Sequence, residues 1–355
     1  MRLPGRFWGP ICVLAPSVAA PGLLPYVLPL TGIASIAALS GPAQELQIMD
    51  DRGHGEDAAQ AVRRRMGFAF EPGIPRYWAG GDAFRTRFFD ACSIRFPAGE
   101  RFFVQCVRDY AGRVRDPELA RQVGDFIFQE AQHSIEHSVF NERLKAQGMP
   151  VDLVDRRSRS ALDLFRRILP SRFTLALTAA GEHLTATIAH GMFERAQDIF
   201  GDSDERVVAL FVWHGAEEIE HKAVAIRVLR EAAGGGYWLR VGTMAYISFQ
   251  FFVHTFMVMH LLFKADGIGL RRELGLWAGG IRWMFGRGGV FWSMRRHYLA
   301  YYRPSFDPWQ DGDLTEYRRW RSIYERSDDA LSAARAVIWP DRAVAADVAP
   351  AATAA

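Results

Sequence analysis

Two short strings in this chain carry a carboxylate and an imidazole three residues apart: Glu130 with His133, and Glu218 with His221. On a helix that spacing puts both side chains on one face, one turn apart. A carboxylate oxygen and an imidazole nitrogen held that close are natural donors to one metal ion. Two such strings are weak evidence alone, because a chain with 10 His produces one by chance about as often as not.

The turns strengthen the case. In an antiparallel helix pair, residues equidistant from the turn lie at the same height. Glu130 is matched in this way by Glu100, with the midpoint at Arg115. Asp116-Pro117-Glu118 follows directly and reads as an N-cap, a first-turn proline and an early acid. Glu218 is matched by Glu182, with the midpoint at Phe200 beside Gly201-Asp202-Ser203. Each hairpin thus lifts one lone glutamate to the level of one Glu-x-x-His. One glutamate from each of two helices, plus Glu-x-x-His from the other two, is the dimetal carboxylate arrangement of a four-helix bundle. The predicted ligands are Glu100, Glu130, His133, Glu182, Glu218 and His221. Their donors are oxygen and nitrogen only, which suits two iron ions, with manganese as the second choice.

His214 lies four residues before Glu218 and seven before His221, so it shares their stripe and is predicted as a seventh ligand. His137 stands four residues after His133. Glu217, just before the second motif, is placed to orient a ligating histidine across the bundle. Both are read as supports of the site, with a plain surface position as the alternative. There is no H-E-x-x-H, no P-loop and no G-x-S-x-G.

These residues need helices to position them. The pattern predicts helices over about 99–114, 117–147, 172–200 and 205–231, with a partly helical connection over 151–170 and an irregular lead-in over 63–82. The fold class is therefore all-α: a ferritin-like four-helix bundle with additional C-terminal hydrophobic helices. The division expected is an extension over 1–61, the dimetal bundle over 62–236, a hydrophobic helical part over 237–342 packed on the bundle or on a membrane, and a disordered tail over 343–355. The proline-broken apolar run near the start is a signal, an anchor or the product of a mis-called start.

Of 355 residues, 49% are hydrophobic and 23% charged, as in folded proteins. The net charge is +3 and the basic residues are not gathered into one block, so no nucleic-acid partner is expected. Cys12, Cys92 and Cys106 form no C-x-x-C, which points to a reducing, cytoplasmic setting. Val241 to Phe263 carries no formal charge over a length that suffices to cross a bilayer. Gln250, His254 and His260 within it argue against a full span. The Trp- and Arg-rich stretch that follows suits a helix lying on a membrane surface. Membrane association and a hydrophobic small-molecule substrate are the expectations.

The chain resembles a bacterial family known as "predicted metal-dependent hydrolase". The likeness covers about residues 62–315. It rests on Pro75-Arg76-Tyr77-Trp78, on Phe96-Pro97-Ala98-Gly99-Glu100-Arg101-Phe102-Phe103, on Gln129-Glu130-Ala131-Gln132-His133, and on Arg303-Pro304-Ser305-Phe306-Asp307-Pro308-Trp309. The ligand spacing is also similar to that of the di-iron arylamine N-oxygenases, a resemblance that implies the seventh-ligand role for His214. The leading expectation is a di-iron enzyme that activates O2 to oxidise or oxygenate its substrate. The alternatives are a metal-dependent hydrolase using a metal-bridging hydroxide, and a non-enzymatic, membrane-associated metal-binding protein.

Overall fold

The computed structural model describes residues 61–309 and 314–341. The expectations for the N-terminal extension up to residue 60 and for the tail over 343–355 lie outside the described residues. Of the described residues 76% are helical and none is in a strand, so the fold is all-α.

Helix α1 (Ala83–Ala111) starts where the Asp82 carboxylate accepts from the Arg85 backbone N–H. The sequence pattern places this helix over about 99–114; it begins sixteen residues earlier. The helix runs through Pro97. Proline has no N–H, so the Ser93 carbonyl loses its helical donor. The Asn141 side-chain amide takes that place, donating to the Ser93 carbonyl at 2.9 Å. A side chain on the next helix therefore makes the proline tolerable.

Helix α2 (Pro117–Ala146) has Asp116 as N-cap and Pro117 in its first turn, as the sequence indicates. The connection forms one continuous helix, α3 (Val151–Ile168), lying against α1. Helix α4 (Ser171–Glu194) bends at Arg195 into the short α5 (Ala196–Phe200). Asp204 caps α6 (Glu205–His221). The predicted single helix over 205–231 is in fact two: the chain breaks at Lys222 and Ala223 before α7 (Val224–Glu231). The break falls immediately after His221. Helix α1 packs along α2, and α4 along α6.

Helix α8 (Tyr237–Ala265) covers α4 and α1 from outside. That cover explains why α4 is apolar almost all round: nearly every residue from Phe173 to His190 is buried. Helix α9 (Leu270–Phe285) follows, closely seated on α1 at Gly280, where a Cβ would come within 2.2 Å of the Phe84 ring. Two short helices, α10 (Val290–Ser293) and α11 (Arg295–Ala300), pack on α4. Helices α12 (Thr315–Ser327) and α13 (Ala330–Ile338) close over α6.

The apolar core has two parts. Along α1 the first part ends at Ile94 and the second begins at Phe102; along α2 the second ends at Phe126 and the first resumes at Phe140. Glu100, Glu130 and His133 lie in those gaps. His221 lies in the corresponding gap between Ile219 and Val224. A polar layer is thus sealed between two greasy ones.

Candidate metal centre

The structure brings all seven predicted ligands into that layer. Each is at least nine-tenths buried: Glu100, Glu130, His133, Glu182, His214, Glu218 and His221. Ligand atoms of Glu100, His133 and His214 lie within 4.8 Å of one another, and so do those of Glu130, Glu218 and His221. Glu182 joins the second group, with Oε2 3.3 Å from His221 Nε2. The two groups touch: His133 Nδ1 is 3.5 Å from Glu130 Oε1 and 3.9 Å from Glu218 Oε1.

The hydrogen bonds around the cluster fix which imidazole nitrogens face it. Gln129 donates both amide hydrogens, to the Val62 carbonyl at 3.1 Å and to Glu220 Oε2 at 2.8 Å. Its oxygen is therefore the atom that meets His221 Nδ1, at 3.0 Å, and must accept. His221 Nδ1 thus carries a proton, and Nε2 is the nitrogen turned toward Glu130, Glu182 and Glu218. Across the bundle, His133 Nε2 faces Glu217 Oε2 at 3.2 Å. This is an ion-pair contact that falls outside hydrogen-bond geometry; a proton on Nε2 suits it, because a carboxylate can only accept, and Nδ1 is the nitrogen that faces the site. Gln129 and Glu217 are equivalent in another way: each immediately precedes the glutamate of one motif and holds the histidine of the other.

His214 is fixed by a longer chain. The Asn141 amide donates to the Ser93 carbonyl, so its oxygen accepts the Ser93 hydroxyl proton at 2.9 Å. Ser93 Oγ then accepts from His137 Nδ1 at 2.8 Å. His137 Nε2 accepts from His214 Nδ1 at 2.8 Å. That leaves His214 Nε2 with a lone pair aimed at Glu218 Oε1, 2.9 Å away. Two acceptors at that distance repel unless a proton or a cation lies between them.

The same conclusion follows from atoms left without partners. Both oxygens of Glu130 and of Glu182, Oε1 of Glu100, Nδ1 of His133 and Nε2 of His221 are buried with no hydrogen-bond partner. Each such group carries a desolvation cost of about 1–3 kcal/mol, more when charged. Bound cations would satisfy all of them together, so the residues present fit a pair of metal ions. The surroundings are dry: Phe126 packs on His221, Trp213 on His133, and Phe96 on His137 and His214.

Without metal the site is neutralised by protons. Burial, and then the charge of Glu130, pushes the Glu100 carboxyl well above the usual range. Burial and the charges of Glu130 and Glu218 push Glu182 up to about 8. Burial disfavours the charged form of His133, but Glu130 and Glu217 outweigh it and raise that imidazole to about 10. Burial likewise opposes a charge on His221, yet Glu130, Glu182 and Glu218 hold it well above its ordinary value. His214 goes the other way: burial and the neighbouring His133 lower it, so it stays neutral. Metal uptake must expel the protons held at Glu100, Glu182, His133 and His221. Affinity should therefore rise with pH, and falling pH through the range around 8 should weaken binding as Glu182 takes its proton back. Adding metal to metal-free protein in weak buffer near pH 7 should release more than one proton per chain, read with a pH-indicator dye. Uptake with no proton release would contradict this account.

Several site residues were not singled out in the sequence. Gln129 had a usable signal, since it occupies the same place before its motif as Glu217 does. Ser93, Asn141 and Thr185, whose hydroxyl donates to Glu218 Oε2 at 2.5 Å, had none, because their partners lie on other helices. Arg64 was also missed. Its guanidinium reaches Glu217 at 3.1 Å and Glu220 at 2.7 Å inside the protein. Trp213 Nε1 donates to the same Glu217 oxygen at 3.0 Å. Glu217 is thus held by two donors while it faces His133. Of the remaining histidines, His183 and His190 stay outside the cluster, stacked on Tyr301 and His297.

Groups that hold a metal-binding histidine typically contribute 10–100-fold in affinity. Gln129→Leu and Glu217→Gln are each expected to weaken metal binding by roughly that factor, with helicity intact by circular dichroism. Titration with a metal-competing chelator measures it. Unchanged affinity in both variants would mean that neither histidine is a ligand.

The family described as "Predicted metal-dependent hydrolase" matches residues 62–312, more than half of the chain. No curated protein and no solved structure matches it. This finding corrects the expectation of an O2-activating oxygenase or oxidase: the match names hydrolysis, and nothing supports an oxidative reaction. The physical reason for the error is that four carboxylates and three imidazoles select a metal pair, not a reaction. The same donors serve either chemistry, and the substrate's place relative to them decides.

Proposed function

Because this chain belongs to the predicted metal-dependent hydrolase family, we propose that it hydrolyses a small substrate carrying an apolar group at a two-metal site. Glu100, His133 and His214 would hold one ion, and Glu182 and His221 the other. Glu130 and Glu218, whose oxygens lie near histidines of both groups, would be shared. The observation that carries this reading is the set of buried oxygens and nitrogens of Glu100, Glu130, His133, Glu182 and His221 that have no hydrogen-bond partner. The donor set contains no thiolate; Cys92 and Cys106 are buried and free. Iron or manganese suits such donors best.

When bound, the metals would supply Lewis-acid polarisation and an activated water. The chain's own contribution is orientation and dryness. Gln129 and Glu217 hold the two motif histidines in the orientations derived above. The Asn141–Ser93–His137 chain does the same for His214. Thr185 steadies Glu218. A cavity of about 40 Å³ borders His214 and Glu218 and is walled by Phe88, Phe89, Phe96, Phe211 and Phe251. Only an apolar group gains by entering such walls, which supports a substrate with an apolar portion next to its scissile bond.

The test is direct. Protein loaded with iron or manganese is offered chromogenic esters, anilides and phosphodiesters, each as a short and a long apolar series. Metal-dependent turnover, lost with chelator and faster for the more apolar members, is the expected result. Loaded protein that hydrolyses none of them would overturn the reading.

A further inference from the structure

Helix α8 is the one helix among the described residues long and apolar enough to cross a membrane, yet only 28% of its most apolar window is buried inside the protein. One side of it lies on the bundle, through Met244, Thr255, Val258, Met259 and Leu262. The other side leaves Trp238 64%, Phe249 51% and Met257 45% exposed. A face of this kind normally has a partner.

Helix α9 continues the same surface. The Phe252 ring of α8 meets Phe285 of α9 at 5.3 Å and Phe291 at 5.1 Å, and Phe256 meets Trp277 at 5.1 Å. On α9 the buried residues are Glu273, Gly280 and Met284. Leu270, Leu274, Ile281 and Phe285 lie 4, 7 and 4 residues apart, so they form one stripe. They are 70%, 61%, 39% and 42% exposed. Arg271 and Arg282 each follow a residue of that stripe by one position and are exposed along its outer border. Beyond them come Arg287, Arg295 and Arg296, all exposed, beside Trp292 at 50%. Between residues 267 and 306 the only acid is Glu273, and it is buried against His260 at 2.5 Å. The surface is therefore apolar, edged with arginine, and without an exposed carboxylate of its own.

We propose that this outer face of α8 and α9 rests on an anionic lipid bilayer, lying in the headgroup region without crossing it. Charge complementarity selects the occupant. A second copy of the chain would bring arginine against arginine, whereas anionic headgroups match the border and the acyl region matches the stripe. A full span is excluded by the same geometry, because the inner side of α8 is committed to α4 and α1. The inference does not depend on the hydrolytic reading. It does place that site well: Phe251, next to Phe252, lines the cavity beside His214 and Glu218.

The experiment is sedimentation of the full-length protein with vesicles of phosphatidylcholine alone and with about a third phosphatidylglycerol. Binding is expected on the anionic vesicles, strongly reduced on the neutral ones, and weakened by salt. Arg271→Glu with Arg282→Glu should lower binding by roughly tenfold or more. Leu274→Ser with Phe285→Ser should do likewise. Helicity and metal content should be unchanged in both pairs, since all four side chains are exposed. Absence of binding to anionic vesicles overturns the proposal. So does binding unaffected by both pairs of substitutions, which would assign it to another segment of the chain. A discrete dimer that dissociates on Leu274→Ser with Phe285→Ser, without vesicle binding, would identify a second copy as the occupant instead.

Discussion

Glu218→Ala is expected to leave the purified protein with less than one metal ion per chain and no measurable metal-dependent hydrolysis. Glu218, like Glu130, touches both halves of the cluster. Its Oε1 is 2.9 Å from His214 Nε2 and 3.9 Å from His133 Nδ1, and its Oε2 is 3.6 Å from His221 Nε2. Its carboxyl is held well below the usual carboxylate range: burial opposes this, but the hydrogen bond and charge of His221 outweigh it. Loss of it should cost more than the roughly 10–100-fold that accompanies loss of a group merely supporting a ligand. Thr185→Ala, which removes only its hydroxyl partner, should stay within that smaller range and serves as the control. Metal analysis by mass spectrometry reads the first effect and a chelator titration the second. A Glu218→Ala protein that retains two ions would remove Glu218 from the centre and leave the two groups of donors as separate sites.

Arg64→Met should have the largest effect on stability. The Arg64 side chain is 2% exposed, and its partners Glu217 and Glu220 are fully buried. Burial pushes the guanidinium down, but the hydrogen bond and charge of Glu220, with those of Glu217, outweigh it and raise it above its ordinary value. It also lies over the faces of Trp320 and Tyr324. Methionine fills much of the space but leaves two buried carboxylates without their cation. Breaking a buried ion pair in this way typically costs 3–5 kcal/mol, or on the order of 10 °C in melting temperature for a chain of this size. Glu220 keeps Gln129 Nε2 at 2.8 Å and the Tyr317 hydroxyl at 3.0 Å, so Glu217 is the more exposed to the loss. Metal affinity should fall with stability, because Glu217 faces His133. Arg64→Met with Glu220→Gln should recover part of the stability but not the metal affinity. Full recovery of both would show that Glu217 does not act on the metal site.

Arg64 also shows how the segments cooperate. The lead-in before α1 supplies the cation, α6 supplies Glu217 and Glu220, and α12 closes over them with Tyr317. This network ties the part of the chain after residue 236 to the bundle at its most polar point.

The bundle helices and the heights of their ligands follow from local rules. Turn chemistry at Asp116-Pro117 and at Gly201-Asp202-Ser203 is local, and the helical repeat is a property of the backbone. Together they suffice to bring Glu100 to the level of Glu130 and His133, and Glu182 to the level of Glu218 and His221. The sequence misjudged where local rules give way to contacts across the bundle. The first helix begins at Ala83 rather than near residue 99, and Asn141, on another helix, satisfies the carbonyl that Pro97 orphans. The helix over 205–231 looked continuous, but it breaks after His221. Which nitrogen of His133, His214 and His221 faces the cluster depends on packing across the bundle, because each ring is oriented by a partner on a different element. Only the tertiary structure decided that the uncharged segment 241–263 lies half on the bundle and half exposed: a run of apolar residues specifies burial, while which side is covered depends on the neighbours it meets.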